Sequence, residues 1–233
     1  TQGTAAHAFT MLHDSEADAF AAQLATFGNG TTLLVDTYDI TEGIATAVKV
    51  SGGDLWAVRI DSGDLGVLAR QARHQLDELG ARGVKIVLSG ELDEYALAAL
   101  AAAPVDAYGV GTALVTGSGS PTAGMVYKLV EVDGRPVAKR SPHKSSRPGR
   151  KHAMRRHRPS GTVTEEVLRV WATPVPETHD RLLQIPFMRA GRRVPAVPTL
   201  EQAREHLSRQ LITLPWEGLR LSAGEPAIGV TVQ

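Results

Sequence analysis

The chain has 233 residues, of which 42% are hydrophobic, and basic and acidic residues are equal in number. This length allows one or two domains with a substantial core. The balanced charge favours neither a nucleic-acid partner nor an acidic tail. The absence of cysteine excludes disulfides and thiolate metal sites, and no apolar run approaches the roughly 18 residues of a membrane span. We expect a cytoplasmic protein without a membrane segment.

The first half of the chain alternates between helical and strand patterns. Apolar residues recur at helical spacing in some segments, and short apolar runs that end in polar residues separate them. The predicted helices are 14–28, 41–50, 65–80 and 93–103, and the predicted strands are 31–37, 55–61, 84–90 and 105–112. Such strand–helix units predict an α/β fold with parallel strands and right-handed crossovers.

The character of the sequence changes after residue 124. Asp133-Gly134 lies between two alternating segments and predicts a β-hairpin. A basic segment follows at 139–158, a short element is expected near 165–171, and 173–198 is Pro-rich. Thr199 opens a capping-box pattern before a final amphipathic helix. We therefore predict two parts, residues 1–124 and 125–233.

Polar residues collect at the predicted carboxyl ends of the strands, the edge at which parallel α/β folds bind ligands. Arg59 and Asp61 should point to the same strand face, with Asp64 just beyond them. A guanidinium and two acids at one strand end can hold a sugar diol or a metal-bound sugar phosphate beside a carboxylate. A structural ion pair with Asp64 as a helix cap explains the same spacing equally well.

Two further groups occupy equivalent positions. Asp36 and Asp39 follow the preceding strand and are candidate substrate-binding residues, since paired acids at two strand ends favour a shared anionic pocket. Each alone could also be a cap or a loop residue. The glycine-bearing exit Gly109–Thr112 and the end of the strand before it could expose backbone N–H groups to a phosphate, although tight-turn geometry also explains glycine there. The candidate phosphate-cradle residues are Ser89, Gly90, Gly109, Gly111 and Thr112.

The basic segment 139–158 contains nine Lys or Arg residues and no acid. Prolines and a glycine interrupt it, so we expect a loop that faces a pyrophosphate or triphosphate. A solvated loop or a contact for RNA or another subunit is the alternative interpretation. By its local sequence alone, His7 is more often structural than catalytic.

The segments GTAAHAF, LLVDTYD, VRIDSGDL, LSGELDE, DAYGVGT, YKLVE and KRSPHKSSRPGRK occur in the order and approximate spacing of nicotinate phosphoribosyltransferases. The chain resembles this family from residue 3 to about 170, with a weaker similarity in the C-terminal tail. No single motif is specific, but the combination is. The resemblance implies a type II phosphoribosyltransferase, in which part of an irregular TIM-like α/β barrel is followed by a hairpin, a basic loop and a C-terminal helical segment.

The resemblance also implies an activity and residue roles. The family couples nicotinate to phosphoribosyl pyrophosphate with the help of ATP, in the first step of NAD synthesis from nicotinate. His7 would be transiently phosphorylated, Arg59 would face nicotinate, and Asp61 and Asp64 would lie at the ribose and a possible Mg²⁺. The residues implied to face phosphates are Gly90, Gly109, Gly111, Lys128, Lys139 and Lys144.

The resemblance further implies that the family's N-terminal domain is absent from this chain and that the whole protein is a homodimer. We expect the 233-residue piece alone to be inactive, and we expect no nucleic-acid partner. Nicotinamide or quinolinate phosphoribosyltransferase remains an alternative within the class. A nonenzymatic phosphate- or RNA-binding fragment remains an alternative outside it.

Overall fold

The computed structural model describes residues 4–117, 119–122, 125–141, 145–171, 176–194, 197–220, 222 and 224–233. The chain divides into two compact units, Thr1–Pro148 and Gly149–Gln233. The division therefore falls later than the predicted boundary after residue 124. In the described part of the chain, no helix is long and apolar enough to cross a membrane.

The first unit alternates helices and strands as the sequence predicts. Its helices are α1 (His7–Leu12), α2 (Glu16–Phe27), α3 (Ile40–Ser51), α4 (Leu65–Glu78), α5 (Glu94–Ala99) and α6 (Thr112–Thr116). Its strands are β1 (Thr32–Leu34), β2 (Ala57–Ile60), β3 (Lys85–Ser89), β4 (Ala107–Gly109), β5 (Glu131–Val132) and β6 (Arg135–Pro136). The helices α1 and α6 were not predicted, because each is too short to show a helical period.

Strands β1 to β4 form a parallel sheet in their chain order. Each side-chain position alternates between the two faces of such a sheet. One face carries Leu33, Val58 and Ile86, which pack with apolar residues of α2, α3 and α4 in a continuous core. The opposite face carries Thr32, Arg59 and Ser89, so the polar residues share the face that the core does not cover. In the described residues the sheet is open, and a closed barrel is not formed.

The hairpin prediction at Asp133-Gly134 is confirmed. Strands β5 and β6 pair antiparallel through Val132 and Arg135, and the two turn residues between them both have positive φ. This backbone is the type I′ conformation that Asp-Gly favours. The chain after the hairpin returns to the sheet, where the Arg140 N–H donates to the Thr37 carbonyl and Ser141 Oγ donates to the Asp36 carbonyl. These contacts keep the hairpin and the following residues within the first unit.

The second unit contains a four-stranded sheet in the order β12-β8-β7-β9. Its elements are β7 (Lys151–His157), β8 (Val163–Val170), β9 (Arg181–Leu182), β10 (Met188–Arg189), β11 (Arg192–Arg193), α7 (Leu200–Leu211), a 3₁₀ turn (Trp216–Leu219) and β12 (Gly229–Val232). Met154 and Val167 are opposite each other on β7 and β8, and both are buried. The capping box of α7 is confirmed, since the side chains and backbone of Thr199 and Gln202 bond reciprocally.

The basic segment 139–158 is not one loop, and this part of the prediction is corrected. Lys139 belongs to the first unit, whereas Lys151–His157 forms strand β7 in the second. Two cations of β7 have acidic cross-strand partners, because Arg155 pairs with Glu166 and Arg156 pairs with Glu165. Both acids lie on the next strand, outside 139–158, so the basic segment itself contains no acid that would indicate these pairs.

Candidate functional site

Asp61, Arg59 and Ser89 meet at the carboxyl ends of β2 and β3. The Oδ1 atom of Asp61 accepts a 2.6 Å hydrogen bond from Ser89 Oγ and lies 3.4 Å from Arg59 Nη2. Arg59 and Asp61 project on the same side because they are two residues apart on an extended segment. The predicted association of a guanidinium with an acid at this strand end is confirmed.

His7 enters the same region from the start of α1. Its Nδ1 atom is 3.1 Å from Thr37 Oγ1, and its Nε2 atom is 2.7 Å from Lys139 Nζ. Nε2 also lies 3.7 Å from Asp61 Oδ2 and 3.8 Å from Asp36 Oδ1. The tertiary fold therefore brings His7 to two carboxylates and an ammonium, which its local sequence does not indicate.

Asp36 is fully buried beneath this cluster. Its Oδ2 atom accepts hydrogen bonds from Ser62 Oγ and from the Asp61 N–H, and it lies 3.5 Å from Lys139 Nζ. Its Oδ1 atom has no hydrogen-bond partner among the described residues. A buried carboxylate is tolerated when such donors and a cation surround it, so Asp36 fixes the geometry of the cluster from below.

The pKa of the Asp61 carboxyl lies well below its ordinary value. Burial by itself acts in the opposite direction and raises the pKa. The hydrogen bond from Ser89 and the charge of Arg59 act in the other direction, and the pKa falls on balance. Asp61 is therefore an anion at neutral pH and can accept hydrogen bonds from sugar hydroxyls.

Glu16, the first residue of α2, carries a second perturbed carboxyl. Burial raises its pKa from 4.5 to about 7, and the nearby charges of Asp39 and Asp36 act in the same direction. Its Oε1 atom is buried without a hydrogen-bond partner among the described residues. The first unit thus holds one acid that ionises easily and one that resists ionisation.

Two cavities adjoin the cluster. One has a volume of about 440 Å³ and is lined by a set that includes His7, Asp61, Gly90, Thr112, Lys128 and Lys139. The other has a volume of about 310 Å³ and is lined by a set that includes Arg59, Ser89 and Gly109. The contact of Asp61 with Arg59 and Ser89 joins the two. Most predicted site residues therefore converge, but around two adjoining cavities rather than one.

Gly90 and Gly109 occupy positions where a side chain would disturb the site. Gly90 has a φ of +132°, and a Cβ there would lie 3.1 Å from the Asp61 carbonyl oxygen. A Cβ on Gly109 would lie 3.0 Å from Ser89 Cβ. Gly111 differs, because a Cβ there would have no neighbour within 4 Å. Close backbone packing therefore explains the first two glycines, and Gly111 precedes α6 in open space.

Asp39 and Asp64 stand apart from the cluster. Asp39 accepts from the Glu42 N–H at the start of α3, and Asp64 accepts from the Val67 N–H at the start of α4. Both side chains are helix caps, as one of the two interpretations of the sequence had it. Neither is among the described residues that line the two cavities. Lys144, predicted to face phosphates, lies outside the described residues.

Ser62 and Ser141 are site residues that the sequence analysis missed. Ser62 bonds Asp36 and is 3.3 Å from Lys139 Nζ, and Ser141 bonds the Asp36 backbone carbonyl. The position of Ser62 directly after Asp61 at a strand end was a usable signal. Ser141 offered none, because its partner lies more than a hundred residues earlier in the chain.

The fold and the cluster define an α/β protein that holds a histidine, acids and cations at the carboxyl ends of parallel strands. No protein-family model matches the chain. A curated nicotinate phosphoribosyltransferase of Mycobacterium tuberculosis is 58% identical, and the match covers 97% of this chain and 52% of that protein. A second one from the same organism is 40% identical, with coverage of 93% and 48%.

Among solved structures, a nicotinate phosphoribosyltransferase from Vibrio cholerae superposes with a TM-score of 0.53 at 25% identity. That match covers 62% of this chain and 40% of the other. The chain belongs to the nicotinate phosphoribosyltransferase family, and the recognition from its motifs is confirmed. It spans about half the length of the curated relatives that it matches.

Proposed function

We propose that this chain supplies the phosphoribosyl-transfer site of an enzyme that joins nicotinate to phosphoribosyl pyrophosphate, giving nicotinate mononucleotide and pyrophosphate. The observation that carries the proposal is the cavity in which His7, Asp61, Gly90, Lys128 and Lys139 converge. The names of the relatives support nicotinate as the substrate.

The charges of the two cavities suit this chemistry. Arg59 is a rigid, permanently charged donor that fits a carboxylate such as that of nicotinate. The ionised Asp61 carboxylate beside it can accept from ribose hydroxyls and stabilise the electron-poor sugar. The exposed Lys128 lines the neighbouring cavity, where it can pair with a phosphate. The charges of the leaving group and of the sugar centre thus meet opposite charges.

The reaction needs positioning more than a general base. The nicotinate ring nitrogen attacks the anomeric carbon as the bond from that carbon to pyrophosphate breaks, and pyrophosphate leaves with the electron pair. The nitrogen already carries a free lone pair, so no proton has to be removed. Alignment of the two substrates by the residues that line the two cavities then accounts for much of the acceleration.

His7 is proposed to accept a phosphoryl group from ATP and so couple ATP hydrolysis to synthesis. The motif G-T-x-x-H supports this role by resemblance, and its place in the cavity agrees with it. A Mg²⁺ ion would reach this site with substrate phosphates, since such ions commonly keep few protein ligands. The described residues contain no group of three or more His, Asp or Glu that could hold a metal by itself. Asp61 is the acid best placed to contribute a ligand, whereas Asp64 caps α4.

We further propose that the sheet β1 to β4 is part of a TIM-like barrel. The strands follow one another in chain order, and apolar residues of helices α2, α3 and α4 pack on one face of the sheet. Barrel strands have this arrangement, with helices outside and functional residues at the carboxyl ends. The remaining strands, the N-terminal domain and a homodimeric partner would be supplied by the whole protein. The cytoplasmic location also stays a prediction.

The test is a chimera that joins the remaining portion of the 58%-identical relative to this chain. We expect it to form nicotinate mononucleotide, to respond to ATP and to prefer nicotinate over nicotinamide. The isolated 233-residue chain should form no product. In the chimera, His7→Ala should retain basal synthesis but lose the ATP response. A folded chimera that binds phosphoribosyl pyrophosphate yet forms no product with either substrate would overturn the proposal.

A further inference from the structure

The Lys139 side chain is buried and does not extend into solvent. Its side chain is 2% exposed, and its ammonium lies 2.7 Å from His7 Nε2, 3.3 Å from Ser62 Oγ and 3.5 Å from Asp36 Oδ2. The sequence suggested a phosphate-binding role, and the ammonium does border the cavity. Its short contact with His7, however, points to a different task.

The contact fixes which nitrogen of His7 carries the proton. An ammonium can donate hydrogen bonds but cannot accept them. Nε2 must therefore present its lone pair to Lys139, and the proton of the neutral ring must lie on Nδ1. There the hydroxyl of Thr37, 3.1 Å away, accepts it. The imidazole is thus held at both nitrogens, in one tautomer and one orientation.

Removing Lys139 would reverse this preference. Among the described residues, the carboxylates of Asp36 and Asp61 also lie near Nε2, at 3.8 and 3.7 Å. Carboxylates accept hydrogen bonds, so they favour a proton on Nε2. A protonated Nε2 has no lone pair to offer a phosphorus atom. Lys139 therefore opposes the effect of Asp36 and Asp61 on the position of the His7 proton.

We propose that Lys139 is a positioning residue that keeps Nε2 of His7 unprotonated, in an imidazole that lines the cavity. This inference rests on the proposed function, because it gives His7 its form for phosphoryl transfer. When ATP enters, the Lys139 ammonium transfers its hydrogen bond from Nε2 to a γ-phosphate oxygen. The freed Nε2 lone pair then forms the N–P bond as the bond from the γ-phosphorus to its bridging oxygen breaks, and ADP leaves with that electron pair. No proton has to leave Nε2 first. The ammonium then lies beside the new phosphoryl oxygens.

The direct test observes the tautomer in the 233-residue chain labelled with ¹⁵N-histidine, by long-range ¹H–¹⁵N correlation at neutral pH. The His7 signals are assigned from their loss in His7→Ala. We expect a protonated Nδ1 and an unprotonated Nε2 in the parent chain. Lys139→Met should move the proton toward Nε2. Lys49→Met, which removes an exposed lysine at the end of α3, should leave the His7 signals unchanged.

Thr37→Val provides a second variant that leaves the buried charges in place and removes the acceptor at Nδ1. Because Lys139 still donates to Nε2 and cannot accept from it, the proton should stay on Nδ1 in this variant. If the His7 signals stay the same in a folded Lys139→Met chain, or if the proton moves to Nε2 in Thr37→Val although Lys139 is present, the proposal is wrong. This measurement needs no turnover, so its outcome is independent of whether the chimera is active.

Kinetics in the chimera separate positioning from phosphate binding. Lys139→Met should reduce the ATP response by at least about tenfold, while KM for phosphoribosyl pyrophosphate stays within about twofold. A large rise in that KM with an unchanged His7 tautomer would make Lys139 a phosphate ligand instead and overturn the proposal. Absence of activity in the parent chimera would count against the proposed function and leave the tautomer result standing.

Discussion

The two units of the chain use the same kinds of charged residue in opposite ways. In the first unit, Asp36 and Lys139 are 0% and 2% exposed and share one buried cluster. In the second, Arg155 and Glu166 are 20% and 31% exposed and pair across neighbouring strands. Water screens the Arg155–Glu166 pair and satisfies its unused donors and acceptors. Around Asp36 and Lys139, protein groups must supply the hydrogen bonds that water would otherwise make. Burial, rather than residue type, therefore separates a site from a surface.

The two pairs also differ in what the removal of one partner does to the other. Loss of one partner leaves a buried charge uncompensated in the first unit, but only leaves a charge in water in the second. The buried cluster holds His7, Asp61 and Lys139 in fixed relation, which suits a reaction that depends on alignment. The β7–β8 arginines support strand register, since each is opposite its acid.

Asp36→Asn tests the buried side of this comparison and should have the largest effect. The variant keeps the shape of the side chain but removes the charge that balances the buried Lys139. We expect the free energy of unfolding to fall by roughly 3 kcal/mol, as for other broken buried pairs. Urea unfolding followed by circular dichroism measures the change.

Asp64→Asn is the matched control, because it makes the same chemical change on an exposed acid of the same unit. Asparagine caps a helix as well as aspartate does, so α4 should keep its cap and the stability should change by less than about 0.5 kcal/mol. Equal losses in the two variants would show that burial does not distinguish the two acids.

Glu16→Gln sharpens the comparison through pH. The pKa of Glu16 rises from 4.5 to about 7 on folding, so the folded chain favours the protonated acid. Stability should therefore decline as pH rises between these two values and should level off above them. The glutamine side chain cannot ionise, so the variant should match the parent below pH 4.5 and be the more stable one above pH 7. Parallel stability curves for the two chains across this pH range would refute this account.

Glu166→Gln tests the half-buried pair of the second unit and should have the smallest effect. It weakens the cross-strand pair with Arg155 but leaves both side chains in contact with water. We expect a loss of about 0.2–1 kcal/mol, which shrinks at high salt because salt already screens such pairs. Thermal unfolding at low and high salt measures it. A loss as large as that of Asp36→Asn would remove the distinction between the two units.

The amino-acid sequence by itself determined the local structure. The spacing of apolar residues and the polar and glycine residues between segments located the four parallel strands. Asp133-Gly134 located a hairpin, and Thr199 located the start of α7. These features depend on neighbours within a few residues, which a sequence displays directly. The motif order also identified the family before any geometry was known.

Only the tertiary structure decided which charges work together. Lys139 meets His7 across 132 positions of the chain, and the two arginines of β7 meet acids on another strand. Asp61 and Asp64 are alike in sequence, yet one lies in the cluster and the other caps a helix. Distance in space and access of water set the chemistry of a charge, and both are fixed only once the sheet and the hairpin have packed.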